Sequence, residues 1–286
     1  MTLKRIFAGQ LIILSMFSCG LFESHDEPPY TSPIIFENQT ITWGGSGEDV
    51  IEISRDLIFE GNSTLIILPG TKIEHTAGTV LVPNPAGDMT RPPIITIKGE
   101  FIAVGEENSP IHFNEVEGEK PSMTFEGDSE SDQRVELEWV TGLGYVEISD
   151  YSPSIINCEI RHIALEDCDS TLLQTSIFNN INYMYSTGLI IDNTILSQFF
   201  SLSSGLLVQN NMIGSDEKMY RGIYNSHDDS SFFQNNTISN FENAIYIFSG
   251  SPTFRNNNIT NYDIAIQVQP FIDDAESDTL DFTQNW

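Results

Sequence analysis

The residues best equipped for chemistry in this chain are few and scattered. His227, Asp228 and Asp229 stand together, a set of types that acid–base catalysis or a metal ion would use. No second catalytic motif precedes or follows them, so they read first as the polar tip of the longest loop, residues 214–230, and as weak candidates for a polar site. The other histidines, His25, His75, His112 and His162, are isolated, and no His-Glu-x-x-His occurs, so no metal-ligand set is assigned. Glu166-Asp167-Cys168-Asp169 and Asp273-Asp274-Ala275-Glu276 offer oxygen ligands that suit calcium. Neither has the glycine spacing of a repeat calcium loop, and both read more simply as solvated turns. No cofactor is expected, with calcium left as the open case, and no catalytic residue is assigned.

Cysteine chemistry divides in two. Cys158 and Cys168 lie in the body of the chain, where a disulfide competes with two reduced thiols acting as small apolar groups; the reduced pair is favoured, with Cys158 pointing inward. Cys19 is different. Lys4 and Arg5 precede an apolar run, residues 6–17, too short to span a membrane, and Ser18-Cys19-Gly20 follows. A charged start, a short apolar stretch and a small residue describe an export signal. The segment Met16-Phe17-Ser18-Cys19 resembles the lipobox of bacterial lipoproteins. That resemblance implies cleavage after Ser18, lipid on the Cys19 thiol and a membrane partner through that anchor. Met16 and Phe17 depart from the usual lipobox residues. Residues 1–18 are then the signal and residues 19–34 an acidic, proline-containing tether.

With 286 residues, 40% of them hydrophobic, the chain has material for a substantial core. Its 41 acidic residues against 12 Lys and Arg give a net charge of −29. Such a polyanion is not a nucleic-acid binder, because phosphate recognition is built on Lys and Arg. Helical periodicity is weak throughout, while Ile, Val, Phe, Thr and Tyr recur in short runs between Gly, Asn, Asp and Ser clusters, the pattern of an all-β protein.

Asparagine reveals the organisation. Five Asn precede position 150 and 17 follow it, whereas ten of the 13 prolines precede it. In the second half a unit recurs that opens on Ile155, Leu172, Ile190, Val208, Phe233 and Phe254 and closes on an isoleucine five residues later. Two positions before each closing isoleucine stand Cys158, Thr175, Asn193, Asn211, Asn236 and Asn257. One such unit cannot bury its apolar side alone, so units must stack as a solenoid, with like residues in register ~4.8 Å apart. Inward asparagines at the bend then form a ladder, Asn193, Asn211, Asn236 and Asn257, headed by the compact Cys158 and Thr175.

This pattern resembles the right-handed parallel β-helix proteins of the pectate-lyase-like superfamily, most typically in Gln234-Asn235-Asn236-Thr237-Ile238 and Arg255-Asn256-Asn257-Asn258-Ile259. The resemblance implies one all-β solenoid domain, with opening coils over residues 35–134 and the Asn-bearing repeats over residues 135–286. Residues 83–93 and 115–134 read as surface loops. About ten coils are expected. The superfamily includes polysaccharide lyases and glycoside hydrolases, but their paired-arginine and Gly-His-Gly patterns are missing. The leading expectation is therefore a non-catalytic surface binding or adhesion module of a bacterial cell envelope, at the outer membrane or cell surface. Carbohydrate is its suggested ligand, since Tyr183, Tyr185, Phe199, Phe200, Tyr220, Tyr224 and Tyr246 offer stacking surfaces. The alternative is an enzyme on polysaccharide. The oligomeric state is left open. Phe282 and Asn285 look like the start of a further unit, so either the chain is cut short or Trp286 plugs the open end.

Overall fold

A computed structural model describes residues 32–45, 50–76, 80–82, 89–128, 133–202, 205–226, 230–269, 282 and 284–286. Every regular element among them is a strand. The chain visits three parallel sheets in a repeating order. Its first strands, Ile34–Phe36, Thr40–Trp43 and Val50–Ile53, begin a twelve-, a ten- and a four-stranded sheet, and Leu57–Phe59, Thr64–Ile67 and Lys72–His75 then pair beside them in the same order. Each circuit thus adds one parallel strand per sheet, the arrangement that stacked repeats demand.

The four-stranded sheet ends at Val140–Thr141. Gly142 follows at φ +86°, where a Cβ would sit 2.0 Å from the Phe113 carbonyl oxygen. From Leu143–Ser149 onward a coil has two sides rather than three. Strands of the twelve-stranded sheet lengthen to Glu159–Glu166, Ile177–Met184, Thr237–Ile247 and Asn258–Val268. These carry the wall that the third sheet supplied in the earlier coils.

Strand alternation fills the interior. Ile155, Leu173, Ile190, Val208, Phe233 and Phe254 pair in succession across the ten-stranded sheet and point into one core. That core runs without interruption from Trp43 to Ile259. Phe233 stacks on Phe254 and Phe254 on Phe282, with ring centroids 4.7 and 5.0 Å apart.

The bend after the ten-stranded sheet is held by side chains in a column. The Asn193 N–H donates to Asn211 Oδ1, Asn211 N–H to Asn236 Oδ1, Asn236 N–H to Asn257 Oδ1 and Asn257 N–H to Asn285 Oδ1, all at 2.9–3.0 Å. Each amide nitrogen also donates to the next Oδ1 and to a carbonyl of the preceding coil, as Asn236 Nδ2 does to Asn257 Oδ1 and Val208 O. The residue before each column member takes a left-handed conformation: Asn157, Thr175, Asp192, Asn210, Asn235 and Asn256 have φ between 52° and 58°. Asn and Asp tolerate that region best among residues with a Cβ.

Five sequence expectations are corrected. Ser176, not Thr175, belongs to the column: its Oγ accepts from the Cys158 N–H at 3.0 Å and its own N–H donates to Asn193 Oδ1. The unit therefore opens on Leu173 and closes on the buried Phe178, while Ile177 faces out. Residues 115–134 are no simple loop, because Ser122–Glu126 runs inside the twelve-stranded sheet with Met123 and Phe125 in the core. Residues 214–230 belong largely to the strand Met212–Ser226, whose extra length is taken up between Gly214 and Met219. Within residues 83–93, Met89–Arg91 pairs antiparallel with Val80–Val82. At the chain end Asn285 and Phe282 join the stack, but Trp286 is 77% exposed and its indole does not plug it.

Candidate functional site

Outward positions on the long strands form a row in which Glu147, Ala164, Asn182, Phe200, Tyr224, Tyr246 and Gln267 are neighbours from coil to coil. The three rings stack: Phe200 on Tyr224 at 5.1 Å and Tyr224 on Tyr246 at 5.3 Å, with planes within 19°. Stacked in this way, the rings cover one another's faces and leave the outer face of Phe200 turned toward the preceding coils. There, Ala164 stands between longer neighbours, and its small side chain leaves a dip. The result is a hollow of about 320 Å³ lined by Tyr145, Glu147, Ala164, Glu166, Asn182, Met184 and Phe200.

Two features fix the aromatic wall. Tyr246 hydrogen-bonds Gln269 through its hydroxyl. The Arg221 guanidinium carbon lies 4.0 Å from the Tyr246 ring centre and 5.0 Å from that of Tyr224. Cation–π attraction of this kind adds to the stacking of the rings on one another. Arg221 Nε is buried and has no hydrogen-bond partner among the described residues. The hollow thus combines an aromatic face with two carboxylates and an amide, groups able to pack against and hydrogen-bond a polyhydroxylated ring.

The aromatic residues singled out in the sequence separate by strand alternation. Phe200, Tyr224 and Tyr246 belong to the outward stack. Tyr183 and Phe199 are fully buried, 6.0 Å apart; Tyr185 and Tyr220 are exposed, Tyr220 beside the stack with its ring centre 4.7 Å from the Arg221 guanidinium carbon. Tyr145, Glu147, Ala164, Glu166, Asn182 and Met184 were missed. Only the period-2 alternation of successive long strands would have found them.

Cys19, His227, Asp228 and Asp229 lie outside the described residues, as do Asp273, Asp274 and Glu276. Glu166-Asp167-Cys168-Asp169 forms a bend: Asp167 is left-handed at φ 51°, Cys168 is buried, and Asp169 accepts from Thr187 Oγ1 at 3.3 Å. Among the described residues no group of three or more His, Cys, Asp or Glu side chains is placed to hold a metal ion. Cys158 and Cys168 are free and buried at the two different bends. Burial pushes the Cys158 thiol up to about 12 and the Cys168 thiol up to about 11. Both are thus inert neutral groups at neutral pH.

His75 is 3% exposed, and among the described residues neither ring nitrogen has a hydrogen-bond partner. Burial lowers its pKa, and the Glu119 charge opposes this more weakly. His162, whose Nδ1 is 2.9 Å from Asn180 Nδ2, is lowered by burial and then by the Arg161 charge.

Compared with known proteins, the chain matches no family model, no curated sequence and no solved structure.

Proposed function

We propose that this chain is a right-handed parallel β-helix of the pectate-lyase-like type, carried on a bacterial cell envelope by lipid at Cys19, and that it is a non-catalytic module binding carbohydrate. The observation that carries the binding reading is the hollow closed at one end by the stacked Phe200, Tyr224 and Tyr246. A sugar ring presents an apolar C–H face that packs on an aromatic face, and its hydroxyls hydrogen-bond carboxylates and amides at the rim. Phe200 supplies the first, and Glu147, Glu166 and Asn182 the second. The parallel order of the strands and the bend column support the β-helix reading. The envelope reading rests on the signal and the Ser18-Cys19 junction.

The ligand is a neutral or weakly charged glycan, because a chain of net charge −29 repels polyanions unless cations bridge them. A glycan array probed with and without calcium tests this, with Phe200→Ala as the control. Retained glycan that is lost on Phe200→Ala supports the module. No glycan bound under either condition removes it. A second reading, an enzyme on polysaccharide, draws on the two carboxylates Glu147 and Glu166 in one hollow, where an acid and a base are required. Release of new reducing or unsaturated ends from a bound glycan, abolished by Glu147→Gln or Glu166→Gln, would establish it instead.

A further inference from the structure

The hollow beside Phe200 carries charge of one sign only. Its lining includes Glu147 and Glu166 and no Lys or Arg. Ten of the chain's 12 Lys and Arg lie among the described residues, and the other two, Lys4 and Arg5, precede Cys19. Neither Glu147 nor Glu166 takes part in an ion pair among the described residues. His162, two residues before Ala164 on the same strand, is no cation at neutral pH, because burial and then the Arg161 charge lower its pKa. A second hollow of about the same volume gives the contrast. It is lined by Glu115 and Glu159 but also by Lys120 and Arg161, and Lys120 Nζ lies 3.8 Å from Glu159 Oε1. There the chain supplies its own cations, and beside Phe200 it does not.

Register brings the two acids together. Glu147 pairs with Ala164, and Glu166 stands two residues beyond Ala164 on the same strand and face. One step of ~4.8 Å between strands and two rises of ~3.3 Å along one set their Cα atoms about 8 Å apart. The small Ala164 leaves the space between them open. Burial and then the Glu147 charge raise the pKa of the Tyr145 hydroxyl, which keeps its proton and can donate. What separates this pair from the chain's many other carboxylates is its place, opposite an aromatic face across a concavity.

We propose that the sugar unit seated here is an amino sugar with a free ammonium group, its C–H face on Phe200 and its ammonium between Glu147 and Glu166. The inference rests on the glycan reading above and gives the ligand's charge a sign. An ammonium offers three donors, enough for both carboxylates and the Asn182 amide oxygen. Bonds between ionised groups are about twice as strong as neutral ones, so the charge selects this sugar over one with a hydroxyl in the same position. A positive group beside the packed C–H face also suits the negative face of the Phe200 ring. Three coil steps of ~4.8 Å part the Phe200 and Glu147 backbones by about 14 Å, room for one pyranose ring with the carboxylates reaching toward it.

Titration calorimetry of the full chain with β-1,4-linked trimers of glucosamine, glucose and N-acetylglucosamine tests this. Short ligands at ~0.15 M salt keep general attraction to a polyanion small, since exposed charges then act only over about 8 Å. The glucosamine trimer should bind about tenfold tighter than the other two. Glu147→Gln and Glu166→Gln should each remove most of that preference, and Phe200→Ala should weaken all three ligands. Glu107→Gln, in the exposed turn between Glu106 and Ser109, should change nothing. Equal binding of the glucosamine and glucose trimers, lost on Phe200→Ala, overturns the amino sugar and leaves the glycan reading standing. Glucosamine binding that survives both Glu→Gln changes is general attraction and overturns it too. So does binding that requires calcium, which would make the two carboxylates metal ligands. No binding of any trimer also overturns it, and the glycan array then decides whether the wider reading falls with it.

Discussion

The two halves of this molecule solve the same problem, a sharp bend beside a buried core, in different ways. In the first three-sided coils the bend after the ten-stranded sheet uses glycine, Gly44 and Gly70 taking φ of +86° and +78°, and only in the last of them, at Trp139 with φ 52°, does a residue with a Cβ take over. At Gly105 a Cβ would meet the Trp139 carbonyl oxygen at 2.8 Å. No side-chain column forms there: Thr71 Oγ1 donates to Leu68 O at 2.7 Å, and the links to neighbouring coils are backbone ones, such as Gly70 N–H to Ser109 O at 2.9 Å. In the two-sided coils the bend passes to Asn, Asp and Thr in the left-handed region, each followed by a column residue that joins one coil to the next. The difference teaches that backbone freedom and hydrogen-bond partners are alternative means of making a bend. The first half relies on residues that can go anywhere. The second relies on residues that bond to their neighbours, so its bends depend on one another.

Breaking the column should have the largest effect. Asn236→Leu removes the acceptor of two donors from Asn211 and leaves buried N–H groups without partners. It should lower stability by about 3 kcal/mol in denaturant titration. Asn211→Leu on top of it should cost less than additively, because the two share a bond. The glycine side of the comparison is tested by Gly142→Ala. There the positive φ and the 2.0 Å approach to Phe113 O leave no room, and a loss of about 2 kcal/mol is expected. Ser176→Ala, at the compact head of the column, removes the acceptor for the Cys158 N–H and should cost about 1 kcal/mol. A loss from Ser176→Ala equal to that from Asn236→Leu would show that the column has no graded start.

The smallest effect concerns pH and belongs to the first half. His75 has a folded pKa below the ordinary value of 6.5. As pH falls below about 6.5 the unfolded chain takes up the proton first, so this contribution to stability is whole above that value and declines below it. Melting temperatures measured from pH 7.5 downward should fall more steeply for the parent than for His75→Leu. Parallel curves would show that the proton on His75 does not differ between the folded and unfolded states.

The apolar repeat and the asparagine column were legible in the sequence because stacking forces the same residue into the same place in every coil. The register failed at one coil for an identifiable reason. Thr175 and Ser176 are both small hydroxyl residues, and Ile177 imitates the closing isoleucine, yet the interior accepts the larger Phe178. The merging of two walls into long strands was not legible, because strand length depends on what the neighbouring coil offers. The hollow was only half visible. Its rings announce themselves by type, while Ala164 matters for what it lacks.

The strand Met212–Ser226 shows that register in this molecule is counted in space and not in residues. Eighteen positions separate Asn193 from Asn211 and 25 separate Asn211 from Asn236, yet the amide contacts are 3.1 and 3.0 Å. The surplus is discharged between Gly214 and Met219, where Asp216, Glu217 and Lys218 stand in solvent and Lys218 reaches across to Asp263. Chain length is therefore a free variable at that place. Insertions and deletions there can accumulate in an evolving lineage unnoticed by the stack, and a foreign peptide spliced between those residues would be displayed from the flank of an unaltered scaffold.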